Sequence, residues 1–174
     1  MVQTIKAVSD MKRLDNEESR RINYDADISE LEKVYNRQFE LIKKGNTDLV
    51  TLELVMLGRA LDFVSFASKK LGVSLGTDEV SVKRFEEVLD AMQRGIVQDN
   101  FFSGEGGGIS GCVSAYLGIL IIARIGGKWE DTENGRAVNV NGRYAYVDEF
   151  IERRLLGLSE LSAVDYFNSV SIVK

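Results

Sequence analysis

The sequence predicts an α+β fold: a mainly helical N-terminal layer around a buried apolar helix, then a three-stranded antiparallel meander and two C-terminal helices. Three observations carry that expectation. Residues 28–94 repeat apolar side chains at helical spacing between cap and glycine signals. Residues 106–123 contain no charged side chain. After Gly126-Gly127 the apolar period shortens to two, with Asn141-Gly142 between alternating segments.

Each element follows from its own residues. Residues 1–26 are polar, with DNEESRR in their middle, and read as an arm or loose helix; residues 27–174 read as a single α+β domain. Asp27 is placed to cap a helix from Ile28 to about Lys44, with Ile28, Leu31, Tyr35, Phe39 and Ile42 on one face and Gly45 as its stop. Thr47 is expected to cap the next, Asp48 to Leu71, where Leu49, Leu52, Met56, Ala60, Phe63, Ala67 and Leu71 keep helical spacing. Lys69 and Lys70 lie in its last turn and Gly72 follows. Thr77 is expected to cap a third helix, Asp78 to Arg94. Its inward stripe is Val82, Phe85, Leu89 and Met92, its wet face Lys83, Glu86, Glu87, Asp90 and Gln93, and Gly95 closes it.

The fourth helix, Ile109 to Ile125, is apolar nearly all round, so it is expected at the centre, covered on several sides. Gly107, Gly111, Ala115 and Gly118 give it a narrow small-residue face that another element can approach closely. Its strongly apolar part, Cys112 to Ala123, rises roughly 18 Å, short of a hydrocarbon core of about 30 Å, so burial inside the protein is expected rather than a membrane span.

KWEDT, RAVNV and RYAYV then read as three strands, joined at Glu133-Asn134-Gly135 and Asn141-Gly142. A two-residue type I′ turn pairs Asn139 with Tyr144 and Val138 with Ala145. Trp129, Val138, Val140 and Val147 form the inward set. Asp148 is expected to cap a helix Glu149 to Leu156, ended by Gly157, and Ser159 to start a last helix to about Ser169.

Composition excludes several function classes. Net charge is −5 at pI 4.9, and basic and acidic residues number nine and nine over 1–44, six and ten over 45–108, seven and eight over 109–174. No basic stripe supplies phosphate neutralisation, so nucleic acid is not an expected partner, nor is an anionic membrane. A single cysteine excludes an internal disulfide, and the absence of histidine removes the usual general base and zinc ligand. No cofactor, metal site or catalytic residue is expected from these features. The N-terminus has no apolar core of a secretory signal, so a cytoplasmic protein is expected.

The candidate sites are weighed against plainer readings. Gly106-Gly107-Gly108-Ile109-Ser110-Gly111 matches G-x-G-x-x-G. No strand or βαβ unit surrounds it, so loop plus close helix packing is the first reading, and an anion site on backbone N–H groups with Ser103 and Ser110 is the second. Cys112, in the first turn of the fourth helix, reads as a structural thiol rather than a dipole-activated one. Glu130, Asp131, Glu133, Asp148, Glu149 and Glu152 read as a solvated face with a Glu149–Arg153 ion pair before they read as acid–base or metal chemistry. Trp129, Tyr144 and Tyr146 gather aromatic surface. In the inferred register Tyr144 and Tyr146 share a face with Ala137 and Asn139, a partner-binding patch if exposed and core if covered.

The C-terminal half resembles an uncharacterised family of small bacterial proteins. The resemblance rests on Ser114-Ala115-Tyr116-Leu117-Gly118, Gly126-Gly127-Lys128-Trp129, and Val147-Asp148 through Arg153-Arg154-Leu155, within about residues 104–168. Ile119 stands where the family pattern has an acidic residue. The resemblance implies an α+β fold and a bacterial source, and no catalytic residues.

Taken together, the sequence leads first to a non-catalytic protein that binds another protein, a basic one by charge complementarity, in an immunity-type or regulatory role. The alternative is a small-ligand or anion-binding module using Gly106, Gly107, Gly108, Ser110 and Gly111. Homo-oligomerisation through Tyr144, Tyr146 and Asn139 stays open.

Overall fold

The computed structural model describes residues 22–99 and 108–171. Its elements are α1 (Ile28–Lys43), a 3-10 turn (Thr47–Leu49), α2 (Leu52–Phe66) running into a π-helical turn (Ala67–Leu71), α3 (Glu79–Asp99), α4 (Gly108–Ile125), β1 (Lys128–Thr132), β2 (Gly135–Val140), β3 (Arg143–Ala145), α5 (Val147–Leu155) and α6 (Ala163–Ser171). The architecture is α+β, as the sequence predicts.

Helix α4 is the central element. Every residue from Val113 to Ala123 is buried. It packs along α2 over most of its length and also meets α5, α6 and β2. By length and composition it could cross a membrane, yet 61% of it is buried inside the fold, so protein covers most of its apolar surface. Phe63, Phe85 and Tyr116 cluster beside it with ring centroids 5.3 to 5.9 Å apart. The Tyr116 hydroxyl donates to the Gly76 carbonyl at 2.8 Å, which satisfies its one polar atom inside the core.

The sheet has the order β1-β2-β3, antiparallel throughout. The inferred register holds: Asn139 opposes Tyr144 and Val138 opposes Ala145. Asn141 and Gly142 both have positive φ, +52° and +84°, as a type I′ turn requires. Trp129, Val138, Val140 and Val147 are all buried against the helices. Gly118 explains how the sheet seats on α4. A Cβ there would lie 2.0 Å from Trp129 Cζ2, so only glycine admits the indole.

Several boundaries differ from the sequence expectation, each for a local reason. Thr51, not Thr47, caps α2 by accepting from the Leu54 N–H, because the intervening 3-10 turn tucks Leu49 into the core. Asp78, not Thr77, caps α3 by accepting from the Ser81 N–H at 2.9 Å, while Thr77 donates to the Ala26 carbonyl. The Ser81 hydrogen bonds hold the Asp78 carboxyl below its ordinary range. Helix α3 runs through Gly95 to Asp99, since glycine alone costs only about 1 kcal/mol in a helix. Val147 opens α5 instead of ending the third strand, so Asp148 sits inside the first turn and caps nothing. Ser162, not Ser159, begins α6, in a reciprocal cap with Asp165. On α1, Phe39 is 40% exposed and stacks on Tyr35 under Lys43, and Gln38 is buried in its place. Ile22, Tyr24 and Ala26, assigned to the polar arm, pack against the core; the remainder of that arm lies outside the described residues.

The expected wet face of α3 is largely taken. Arg154 of α5, its side chain 11% exposed, donates to Glu86, Asp90 and Gln93, and Glu86 also accepts from the Ala163 N–H at the start of α6. The guanidinium therefore ties α5 to α3, and its partner Glu86 extends the network to α6. The expected Glu149–Arg153 ion pair does not form among the described residues, because α5 turns Arg154 rather than Arg153 toward a carboxylate partner.

Candidate functional site: a charged cleft at the start of helix α4

The small-residue face of α4 does not end at Gly118. Toward the N-terminus, Ser114, Gly111 and Ser110 continue it and line a cleft of about 360 Å³. Arg59 from α2, Arg136 from β2, and Asp148, Glu152 and Leu156 from α5 complete the lining. The volume is at the lower end for small-molecule sites.

Each polar group arrives there by its position in its own element. Arg136 is on the same face of β2 as Val138 and Val140, so strand alternation turns it inward. Its Nη1 lies 3.3 Å from Met56 Sδ on α2, a weak acceptor that leaves its charge uncompensated. Arg59 is half-buried between the buried Gly58 and Ala60. Its guanidinium lies against the first turns of α4, where a Cβ built on Gly111 would come 3.4 Å from Nη1. Ser114 is 1% exposed, and its hydroxyl has no hydrogen-bond partner among the described residues. Asp148 and Glu152, one turn apart on α5, share the opening.

Among the described residues neither Arg59 nor Arg136 forms an ion pair, and neither do Asp148 and Glu152. Four charged side chains thus face one space without closing on each other.

The sequence candidates divide accordingly. Ser110 and Gly111 are in the cleft; Gly108 opens α4 and is exposed, outside the lining. Gly106, Gly107 and Ser103 lie outside the described residues. Cys112 is half-buried, and its thiol is pushed up by burial first and by Asp62 second, against the opposing pull of Arg59. Burial therefore outweighs the opposing pull of Arg59 there. No group of three or more Cys, Asp and Glu side chains among the described residues is arranged to hold a metal ion.

The aromatic face is a separate feature. Tyr144 is 45% exposed, Asn139 and Tyr146 are half-buried, and Ala137 is fully buried, so the face is neither open nor core. Tyr144 donates to Glu130 Oε2 at 3.0 Å, Asn139 donates to the same oxygen at 3.0 Å, and Lys128 pairs with Oε1 at 2.8 Å. These three donors, Lys128 foremost, hold the Glu130 carboxyl down at about 2.

Arg59, Arg136 and Ser114 are the site residues that sequence reasoning passed over. Arg136 was legible: a strand whose Val138 and Val140 face inward also turns residue 136 inward. Arg59 carried a weaker signal, a cation flanked by residues of a buried stripe. Comparison with protein-family models, with curated proteins and with solved structures returns no match.

Proposed function

We propose that this chain is a binding module that takes a small anionic ligand in the Arg59/Arg136 cleft. The observation that carries the reading is the pair of guanidiniums lining one cleft without a carboxylate partner among the described residues. Arginine in partly buried positions ordinarily meets a carboxylate or phosphate in a forked, charge-assisted geometry. Ser114 supports the reading, since its hydroxyl lies on the cleft lining with no protein partner among the described residues and can donate to an anion. An oxyanion at this position would accept from both arginines and from Ser114. The test is calorimetric titration with inorganic phosphate and with acetate at fixed ionic strength. Wild type should bind at least one of them, and Arg136→Gln should weaken that affinity at least about tenfold, the value of a hydrogen bond to a charged group. Equal affinity in both proteins would sink the reading.

A second reading, docking of another protein, rests on Tyr144. An exposed aromatic ring whose hydroxyl is tethered by Glu130 loses little freedom on binding, and such residues recur as anchors of interfaces. The acidic net charge favours a basic partner. Sedimentation of wild type and Tyr144→Ala tests the form in which the partner is a second copy. Affinity capture by the two proteins tests the form in which it is another chain, which Tyr144→Ala should lose.

A further inference from the structure

A purely anionic ligand leaves half of the cleft unexplained. Asp148 and Glu152 line the same space as the two arginines, and among the described residues both lack ion-pair and side-chain hydrogen-bond partners. Asp148 is free for this because α5 begins at Val147, which places the carboxylate in the first turn rather than at the cap. The four charges line one cleft large enough for a small molecule without closing on each other, Arg59 beside Gly111 of α4, Arg136 on β2 and the carboxylates on α5. For a ligand with anionic charge alone, those carboxylates are repulsive neighbours. For a ligand that also carries a cation, they are its second contact.

From this we infer that the occupant is zwitterionic: a compact molecule with a phosphate or carboxylate at one end and an ammonium a few bonds away at the other. The inference rests on the proposed ligand-binding function of the cleft and names the chemistry of its ligand. The oxyanion accepts from Arg59, Arg136 and Ser114. The ammonium donates to Asp148 and Glu152, whose exposed positions at the opening leave it partly hydrated. Leu156, 51% exposed at the same rim, gives the carbon chain between the two charges an apolar surface to lie against.

The test uses matched probes that differ by the ammonium alone: phosphoethanolamine against ethyl phosphate, and β-alanine against propionate, titrated calorimetrically into the intact chain at fixed ionic strength. In at least one pair the zwitterion should bind about fivefold more tightly than its anion, the scale of one partly exposed ion pair. In Asp148→Asn/Glu152→Gln that preference should vanish while the anion binds as well as before or better. Equal binding of both members of each pair in wild type, with affinity still lost in Arg136→Gln, would overturn the zwitterion and leave the anion site standing. Absence of binding by every probe would overturn both. Because Asp148 and Glu152 are exposed and have no side-chain hydrogen-bond or ion-pair partner among the described residues, the double variant is expected to melt as wild type does, which separates a binding effect from unfolding.

Discussion

Helix α4 presents one face of small residues to two different environments. At Gly118 the space is filled to contact by the Trp129 indole, and the sheet is locked onto the helix. One to two turns earlier, at Ser114 and Gly111, the same face opens on a cleft lined by arginine side chains from α2 and β2. The difference lies in what the partner elements bring. Strand β1 supplies a flat ring that fills a missing Cβ, whereas β2 supplies Arg136, whose charge cannot be buried without a counter-charge. A small residue on a buried face is therefore either a packing device or the floor of a site, and the opposing side chain decides which.

The sharpest way to break this comparison is to add one methyl group at each end. Gly118→Ala should lose about 3 kcal/mol or more in chemical denaturation, because the indole is rigid and enclosed. Combining it with Trp129→Leu should restore part of that loss relative to the sum of the single variants, a coupling that a double-mutant cycle reads directly. Gly111→Ala should instead gain about 0.5 to 1 kcal/mol from helix propensity, since its new Cβ meets only the flexible end of Arg59. Similar losses at both positions would remove the distinction.

Next in size is Arg154→Ala, expected to cost about 3 kcal/mol because it strips Glu86 of a partner in a partly enclosed network. It measures what a half-buried arginine gains from its carboxylate partners, the contrast against which Arg59 and Arg136 stand. Ser114→Ala should change stability by no more than about 1 kcal/mol, in the stabilising direction, since alanine is the better helix former and the hydroxyl has no protein partner among the described residues. A loss of 2 kcal/mol or more would show that the hydroxyl serves the fold rather than a ligand.

The smallest effect concerns Glu130. Its folded value, near 2, lies below its ordinary value of 4.5, so the stabilisation it gives is complete above about 4.5 and is lost as pH falls toward 2. A carboxyl-detected NMR titration should show that midpoint, and Tyr144→Phe should move it upward. A midpoint unchanged by that substitution would mean the tyrosine is not tethered and is a poorer anchor for a partner.

How much of this the sequence displayed differs between the same two regions. The Asn141-Gly142 turn and the alternation of Val138 and Val140 were enough to give the hairpin register, because turn chemistry and period are local. The apolar run of α4 was enough to place it at the centre. Cap positions were less legible: Thr47 and Thr77 are good cap residues, and only the burial of Leu49 and the competition from Asp78 pass them over. The cleft was half visible. Ser110 and Gly111 stood in a recognisable glycine motif, but Arg59 and Arg136 are separated from them by tens of residues, and only packing brings them together.

The measurement that bears most directly on the cleft is amide chemical-shift mapping of the intact chain during titration with inorganic phosphate. The expected result is saturable shifts concentrated at Ser110, Gly111 and Ser114 and at the Arg59 and Arg136 side chains, with Trp129 and the β1–β2 pairing unmoved. Shifts that never saturate, or that gather at Tyr144 and Tyr146 while the start of α4 stays still, would contradict it.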